Sequence, residues 1–194
     1  MIHRIFPLHF YSLFPAPNKE EIFETLKNIK VNREATDKIR WNSQCKVEVE
    51  VLDKKVVENL LRPSLDKFFS MMESSIDINL VVKFLSAWRN TYRKGGFQEL
   101  HDHVDGEGLE DCHLSGCIFL DDFHLDASRF YFYNRHLSEV PVLWRKLNKL
   151  SHSFGLKPKA GDVLFFPSYM LHGVTLHKLM KPRRTISFNI QLSK

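Results

Sequence analysis

Apolar and polar residues alternate strictly between Cys45 and Val51, with Cys45, Val47, Val49 and Val51 on one side and Lys46, Glu48 and Glu50 on the other. A period of two predicts a half-buried strand. The flanking segments have helical periods instead. Ile22, Leu26 and Ile29 form a stripe behind Asn18 and Glu21, which have capping-box spacing, so a helix is expected over residues 19–30. Beyond Asp53, the residues Val56, Val57, Leu60, Leu61, Leu65, Phe68, Phe69 and Met72 keep helical spacing across Pro63. That pattern predicts one kinked helix or two that abut. Residues 5–14 read as an edge strand interrupted by Pro7. The expectation for residues 1–78 is a layer of helices and strands whose apolar faces need a sheet to cover.

The remainder is broken into short apolar runs at residues 80–92, 97–105, 114–120, 129–133, 162–166, 171–176 and 185–191. Seven short strands separated by turn residues suggest an antiparallel sandwich or jelly roll. Residues 139–150 are the exception, because Val140, Leu143, Trp144 and Leu147 have helical spacing, with Pro141 restricted to an early turn.

With 194 residues and 43% apolar composition, the chain suits one domain with a sizeable core. Cys45, Cys112 and Cys117 form an odd set without C-x-x-C spacing. They argue against a disulfide framework and for a reducing, cytoplasmic home. The apolar N-terminus carries His3, Arg4 and His9 and lacks a small-residue cleavage site, so neither a signal peptide nor a membrane span is expected. The formal charge is +5, but residues 143–184 hold nine Lys or Arg against one acid, Asp162. Such a face is ordinarily solvated; it also suits an anionic cosubstrate, an acidic protein or nucleic acid, although no nucleic-acid-binding motif accompanies it.

Chemistry concentrates between Phe97 and Leu120. In an extended chain His101, His103 and Asp105 point to one side. Two neutral imidazoles and a carboxylate can hold one face of a metal ion and leave the other open to exogenous ligands. His103-Val104-Asp105 supplies two such groups, although a histidine beside a solvated acid is common without any metal. A third ligand must come from a distant segment, and His172, entering an apolar run after Phe166-Pro167, is the candidate. In the last strand Arg183, Thr185, Ser187 and Asn189 share one face and Arg184, Ile186, Phe188 and Ile190 the other. Such a polar face fits an edge strand turned to water, or an interior in which an arginine meets a bidentate anion.

The combination of His-x-Asp, a distal His, an Arg eleven residues later (183 − 172) and a hydroxyl residue at plus two resembles the 2-oxoglutarate and Fe(II)-dependent oxygenase superfamily. WRNTYRKGGFQELHDH, LSGCIFL, GDVLFFPSYMLHGV and RRTISFN more narrowly resemble small oxygenases of bacteria and phages, distant relatives of prolyl hydroxylases. The resemblance covers residues 84–192 and leaves the N-terminal layer without a specific motif.

It implies a mainly β fold with an N-terminal helical layer, in which residues 79–194 form a double-stranded β-helix (jelly roll) within a single oxygenase domain. It also implies Fe(II) held by His103, Asp105 and His172, with 2-oxoglutarate and O2 as cosubstrates. Arg183 would pair with the far carboxylate of 2-oxoglutarate, assisted by Thr185, while the strand from Trp88 to Tyr92 would line its pocket, with Asn90 or Tyr92 touching the cosubstrate. The narrower group's motif reads His-x-His, so the alternative first ligand is His101, giving His101, His103 and His172. Asp105 is favoured because a carboxylate offsets metal charge that a third imidazole leaves in place.

The activity implied is hydroxylation of a peptidyl, prolyl-like or other unidentified substrate, coupled to decarboxylation of 2-oxoglutarate to succinate. The substrate would be a protein or small molecule, with nucleic acid a lesser alternative and no membrane partner. Residues 106–111 and 134–159 are the candidate substrate-facing loops. Two alternatives from other classes are a non-catalytic, cupin-like metal-binding jelly roll and a structural phage-type sandwich.

Overall fold

In the computed structural model, residues 9–38, 45–72, 81–104 and 111–193 are described. Two antiparallel sheets dominate. The larger contains β1 (Ser12–Pro15), β2 (Val47–Val51), β3 (Val81–Tyr92), β5 (Leu114–Phe119), β8 (Asp162–Pro167) and β10 (Arg183–Ser193), in the order β1-β8-β5-β10-β3-β2. The smaller contains β4 (Gln98–His101), β6 (Phe130–Tyr133), β7 (Ser153–Gly155) and β9 (His172–Val174), in the order β4-β9-β6-β7. Among the described residues four α-helices accompany them, α1 (Lys19–Lys27), α2 (Arg33–Lys38), α3 (Lys54–Met72) and α4 (Val142–Leu147), with a 3-10 helix at Arg135–Glu139.

The larger sheet is covered on both faces. On one, Ile118, Val163, Phe165, Ile186 and Phe188 pack against Ile22 and Leu26 of α1 and Leu61, Leu65 and Phe68 of α3. Phe68 stacks on Phe165 with ring centroids 4.8 Å apart. On the other, Tyr92, Cys117, Phe119, Leu164 and Phe166 meet Phe130, Phe132 and Val174 of the smaller sheet. Strands buried on both faces need apolar or satisfied polar groups at every position, and β5 is buried along its whole length.

Asp53 caps α3, its Oδ1 accepting from the backbone N–H of Lys55 at 2.9 Å. One continuous helix runs through Pro63, so of the two expected alternatives the single helix is found. Asn18 and Glu21 do not form the expected capping box. The Asn18 amide instead donates to Glu21 Oε2 and to the Leu60 carbonyl, both at 3.0 Å, which ties the start of α1 to α3. Residues 1–8 lie outside the described set, so the predicted edge strand is seen only as β1. α4 forms where its spacing predicts, yet none of its residues is buried. Sequence periodicity missed α2 and β7, the first lacking an apolar stripe and the second having three residues.

Phe188 lies directly opposite Gly116 across the β5–β10 pair. A Cβ on Gly116 would sit 2.5 Å from Phe188 Cζ and also press on the Leu164 carbonyl oxygen. Backbone cannot move aside as a flexible side chain can, so Gly116→Ala should destabilise the fold by about 1–3 kcal/mol. A lowered urea midpoint with unchanged slope would register this.

Candidate metal and cosubstrate site

The register of the smaller sheet sets His101 of β4 directly opposite His172 of β9. The chain leaves β4 after His101, and the His103 N–H bonds to the Ser168 carbonyl at 3.0 Å. This bend ends the predicted strand early and carries the His103 ring to the other two. Ring centroids are 4.2 Å apart for His101 and His172, 5.1 Å for His103 and His172, and 5.2 Å for His101 and His103. One ligating nitrogen from each of the three lies within 4.8 Å of the others. Asp105 lies outside the described residues.

Each ring uses Nδ1 in a hydrogen bond to an oxygen. His101 bonds the Glu99 carbonyl at 2.8 Å, His172 the Met170 carbonyl at 2.9 Å, and His103 the Asn189 Oδ1 at 2.7 Å. A carbonyl oxygen only accepts, so His101 and His172 carry their proton on Nδ1 and a lone pair on Nε2. Nε2 of His101 lies 3.3 Å from the Gln98 amide nitrogen, and Gln98 Oε1 accepts from the Tyr92 hydroxyl at 2.8 Å. His172 is wedged against Phe130 and Phe166, at centroid distances of 5.3 and 4.8 Å, and Trp88 stacks on His103 at 6.1 Å.

Burial holds all three imidazoles below the usual histidine range. The His103 value falls to about 4, through burial first and the neighbouring His101 second. His172 is pushed well below its ordinary value by burial, then by His101 and His103. Burial likewise lowers His101, partly opposed by its bond to the Glu99 carbonyl. Three neutral rings whose nitrogens converge could hold a metal ion.

A polar strip extends from this cluster along β10. Asn189, Ser187, Thr185 and Arg183 occupy alternate positions, and six residues of strand span roughly 20 Å. Asn90, opposite Thr185, donates from Nδ2 to Ser187 Oγ at 2.9 Å. Arg183 is buried, with its guanidinium carbon 5.3 Å from the Tyr92 ring centre and 5.5 Å from that of Phe119. Burial lowers its pKa from the usual arginine range. Arg183 Nη1, Asn90 Oδ1 and Trp88 Nε1 are all buried without a hydrogen-bond partner. Buried polar groups are normally paired, and these three unpaired ones lie on strands facing the inter-sheet space.

Thus His101, His103 and His172 meet, while Arg183, Thr185, Asn90 and Tyr92 line the strip beyond them. Trp88 lies on the strand expected to line the pocket, whereas the role of Gln98 escaped sequence reasoning. In a regular strand Gln98 would face away from His101 and His103; a register shift between Gln98 and His101 lets its amide bridge Tyr92 and His101.

A family model described as "Putative 2OG-Fe(II) oxygenase" matches residues 86–189, a span that contains every site residue named above. Among solved structures, the fold is similar to HygX from Streptomyces hygroscopicus with nickel and 2-oxoglutarate bound, at 13% identity over 93% of this chain and 82% of that one, TM-score 0.59. It is also similar to a viral collagen prolyl hydroxylase from Paramecium Bursaria Chlorella virus-1 in complex with 2-oxoglutarate, at 12% identity over 95% and 96%, TM-score 0.60. A Pseudomonas putida prolyl-4-hydroxylase matches at 13% identity over 95% and 93%, TM-score 0.61. Among curated proteins no sequence match was found.

The lowered histidine values have a consequence for stability. The unfolded chain takes up protons near pH 6.5 while the folded site refuses them, so the contribution is full above that pH and is lost as pH falls toward about 4, where His103 titrates. Metal-free protein should therefore show a urea midpoint that declines from pH 6.5 to 4. His172→Gln should flatten that decline.

Proposed function

The chain belongs to the 2OG-Fe(II) oxygenase family, and from that premise we propose that it is an Fe(II)- and 2-oxoglutarate-dependent hydroxylase of a peptidyl, prolyl-like substrate. Its two sheets are read as the walls of a double-stranded β-helix, with the N-terminal helices supporting it in a single domain. The family's cofactor set is Fe(II), 2-oxoglutarate and O2. Bound together, these supply an oxidant able to attack a C–H bond, with decarboxylation of 2-oxoglutarate to succinate.

The chain's own residues hold and orient those groups. His101, His103 and His172 are proposed as the metal ligands, because their nitrogens converge and all three rings are neutral. His103, Asp105 and His172 form the competing set, favoured by charge neutralisation alone. Gln98 must release His101 Nε2 for the first set to operate. Arg183 receives the distal carboxylate of 2-oxoglutarate, and Thr185 supplies a hydroxyl beside it. Asn90 serves the same ligand with its amide turned over, so that Oδ1 accepts from Ser187 and Nδ2 faces the anion. Phe130 and Phe166 keep water from the ring cluster.

The observation that carries this reading is the buried guanidinium of Arg183, whose Nη1 has no hydrogen-bond partner and can donate to an anion. A peptidyl substrate is supported by the fold likeness to two prolyl hydroxylases. It is also supported by α4, where Val142, Leu143, Trp144 and Leu147 offer an exposed apolar surface beside Arg145 and Lys146. The segment is rooted at the His172 end of the smaller sheet, where Tyr133 N–H bonds the Leu171 carbonyl and Asn134 N–H the His152 carbonyl. The three cysteines are free, as suits a reducing cytoplasm, and no described helix is long and apolar enough to cross a membrane.

Anaerobic addition of Fe(II) and 2-oxoglutarate should produce a visible metal-to-ligand charge-transfer band; its absence at saturating cosubstrate would remove the proposal. Arg183→Ala should raise the 2-oxoglutarate concentration needed for the band by two orders of magnitude or so, the effect of deleting one partner of a buried charge pair, about 2–5 kcal/mol. Iron content separates the ligand sets. His101→Ala should lose metal and Asp105→Ala retain it, whereas the reverse pattern would establish the carboxylate set.

A further inference from the structure

Asn189 stands apart from the other groups around the imidazole cluster. His101 and His172 each place Nδ1 on a main-chain carbonyl two residues earlier in their own segment, Glu99 and Met170. A backbone acceptor is independent of side-chain identity. His103 has no such carbonyl; its Nδ1 partner is the Asn189 side chain, contributed by the other sheet from 86 residues away.

Two features aim that side chain. Asn189 lies opposite Ser115 in the β5–β10 pair, and the buried Ser115 hydroxyl donates to the same Asn189 Oδ1 at 2.9 Å. A register shift in the β3–β10 pair falls between Asn189 and Ile190, where Asn189 pairs with Ser86 and Ile190 with Phe84. Bulges of this kind bend a ladder locally and redirect a side chain.

We infer that Asn189 is a positioning residue for His103, its amide oxygen fixing the proton on Nδ1 so that Nε2 presents a lone pair to the metal. The inference rests on the metal reading above. An amide has two faces with opposite consequences. With oxygen toward His103 the ring becomes a ligand. With nitrogen toward it, Nδ1 must accept, the proton moves to Nε2, and the ring is blocked. The tie also holds a ring from the end of the smaller sheet against the larger one, which limits its rotation before metal arrives.

The test compares wild type with Asn189→Leu, which has similar volume and no acceptor, and Asn189→Asp, which can only accept. Two-bond 1H–15N correlations of histidine-labelled, metal-free protein report the tautomer directly. Titration calorimetry with Ni2+ alone, without cosubstrate, reports affinity. We expect His103 protonated on Nδ1 in wild type and the Asp variant and mixed in the Leu variant. Ni2+ binding should weaken about 10–100-fold for Leu and remain at least as tight as wild type for Asp.

His103 protonated on Nε2 in wild type would overturn the inference, as would unaltered affinity in the Leu variant or equal weakening in both. Should the Leu variant fail to fold, the wild-type tautomer still decides. A wild-type protein that binds no Ni2+ would count against the functional reading, while the tautomer spectrum would still judge Asn189.

Discussion

Strand β10 is buried on both faces, and the two faces have opposite demands. Ile186, Phe188 and Ile190 are satisfied by helices α1 and α3 through close apolar packing. Arg183, Thr185, Ser187 and Asn189 look the other way, into the space between the sheets, where polar groups without partners are costly. Ser187 and Asn189 are satisfied by Asn90, Ser115 and His103, whereas Arg183 keeps a buried nitrogen unpaired. The helical layer lets the sheet turn its polar side inward. With the apolar side covered from outside, the inter-sheet space is left for imidazoles, amides and a guanidinium.

The strands were largely legible because burial on one face forces alternation and burial on both forces an apolar run. β2 and β10 appear within a few residues of where period-two patterns end, and β3, β5 and β8 within a few residues of the apolar runs. Where period fails, tertiary hydrogen bonds decide. β4 stops at His101 because His103 N–H goes to Ser168, and β7 is recognisable only by its pairing with β6. In α4 the helical spacing identified a helix but not a buried one, since spacing reports shape and only the assembled structure reports cover.

Within the site, residue types carried part of the message. A distal histidine and an arginine eleven positions later were visible as a pattern, and the structure brings His172 beside His101 and His103 while leaving Arg183 Nη1 without a hydrogen-bond partner. The choice among three candidate ligands near one strand end was not readable, because it depends on a bend after His101 that no local pattern encodes. Nor could the sequence show that the Trp88 indole N–H lacks a partner, since that is a property of its surroundings.

The three imidazoles hang from the smaller sheet or the bend that follows it, whereas Arg183 belongs to the larger. The site is therefore a seam. A dicarboxylate reaching from the ring cluster to the guanidinium would brace one sheet against the other, and its binding free energy would add to the stability of the whole fold as the logarithm of its concentration. Abundance of a small metabolite would then set how long the protein survives unfolding as well as how fast it works.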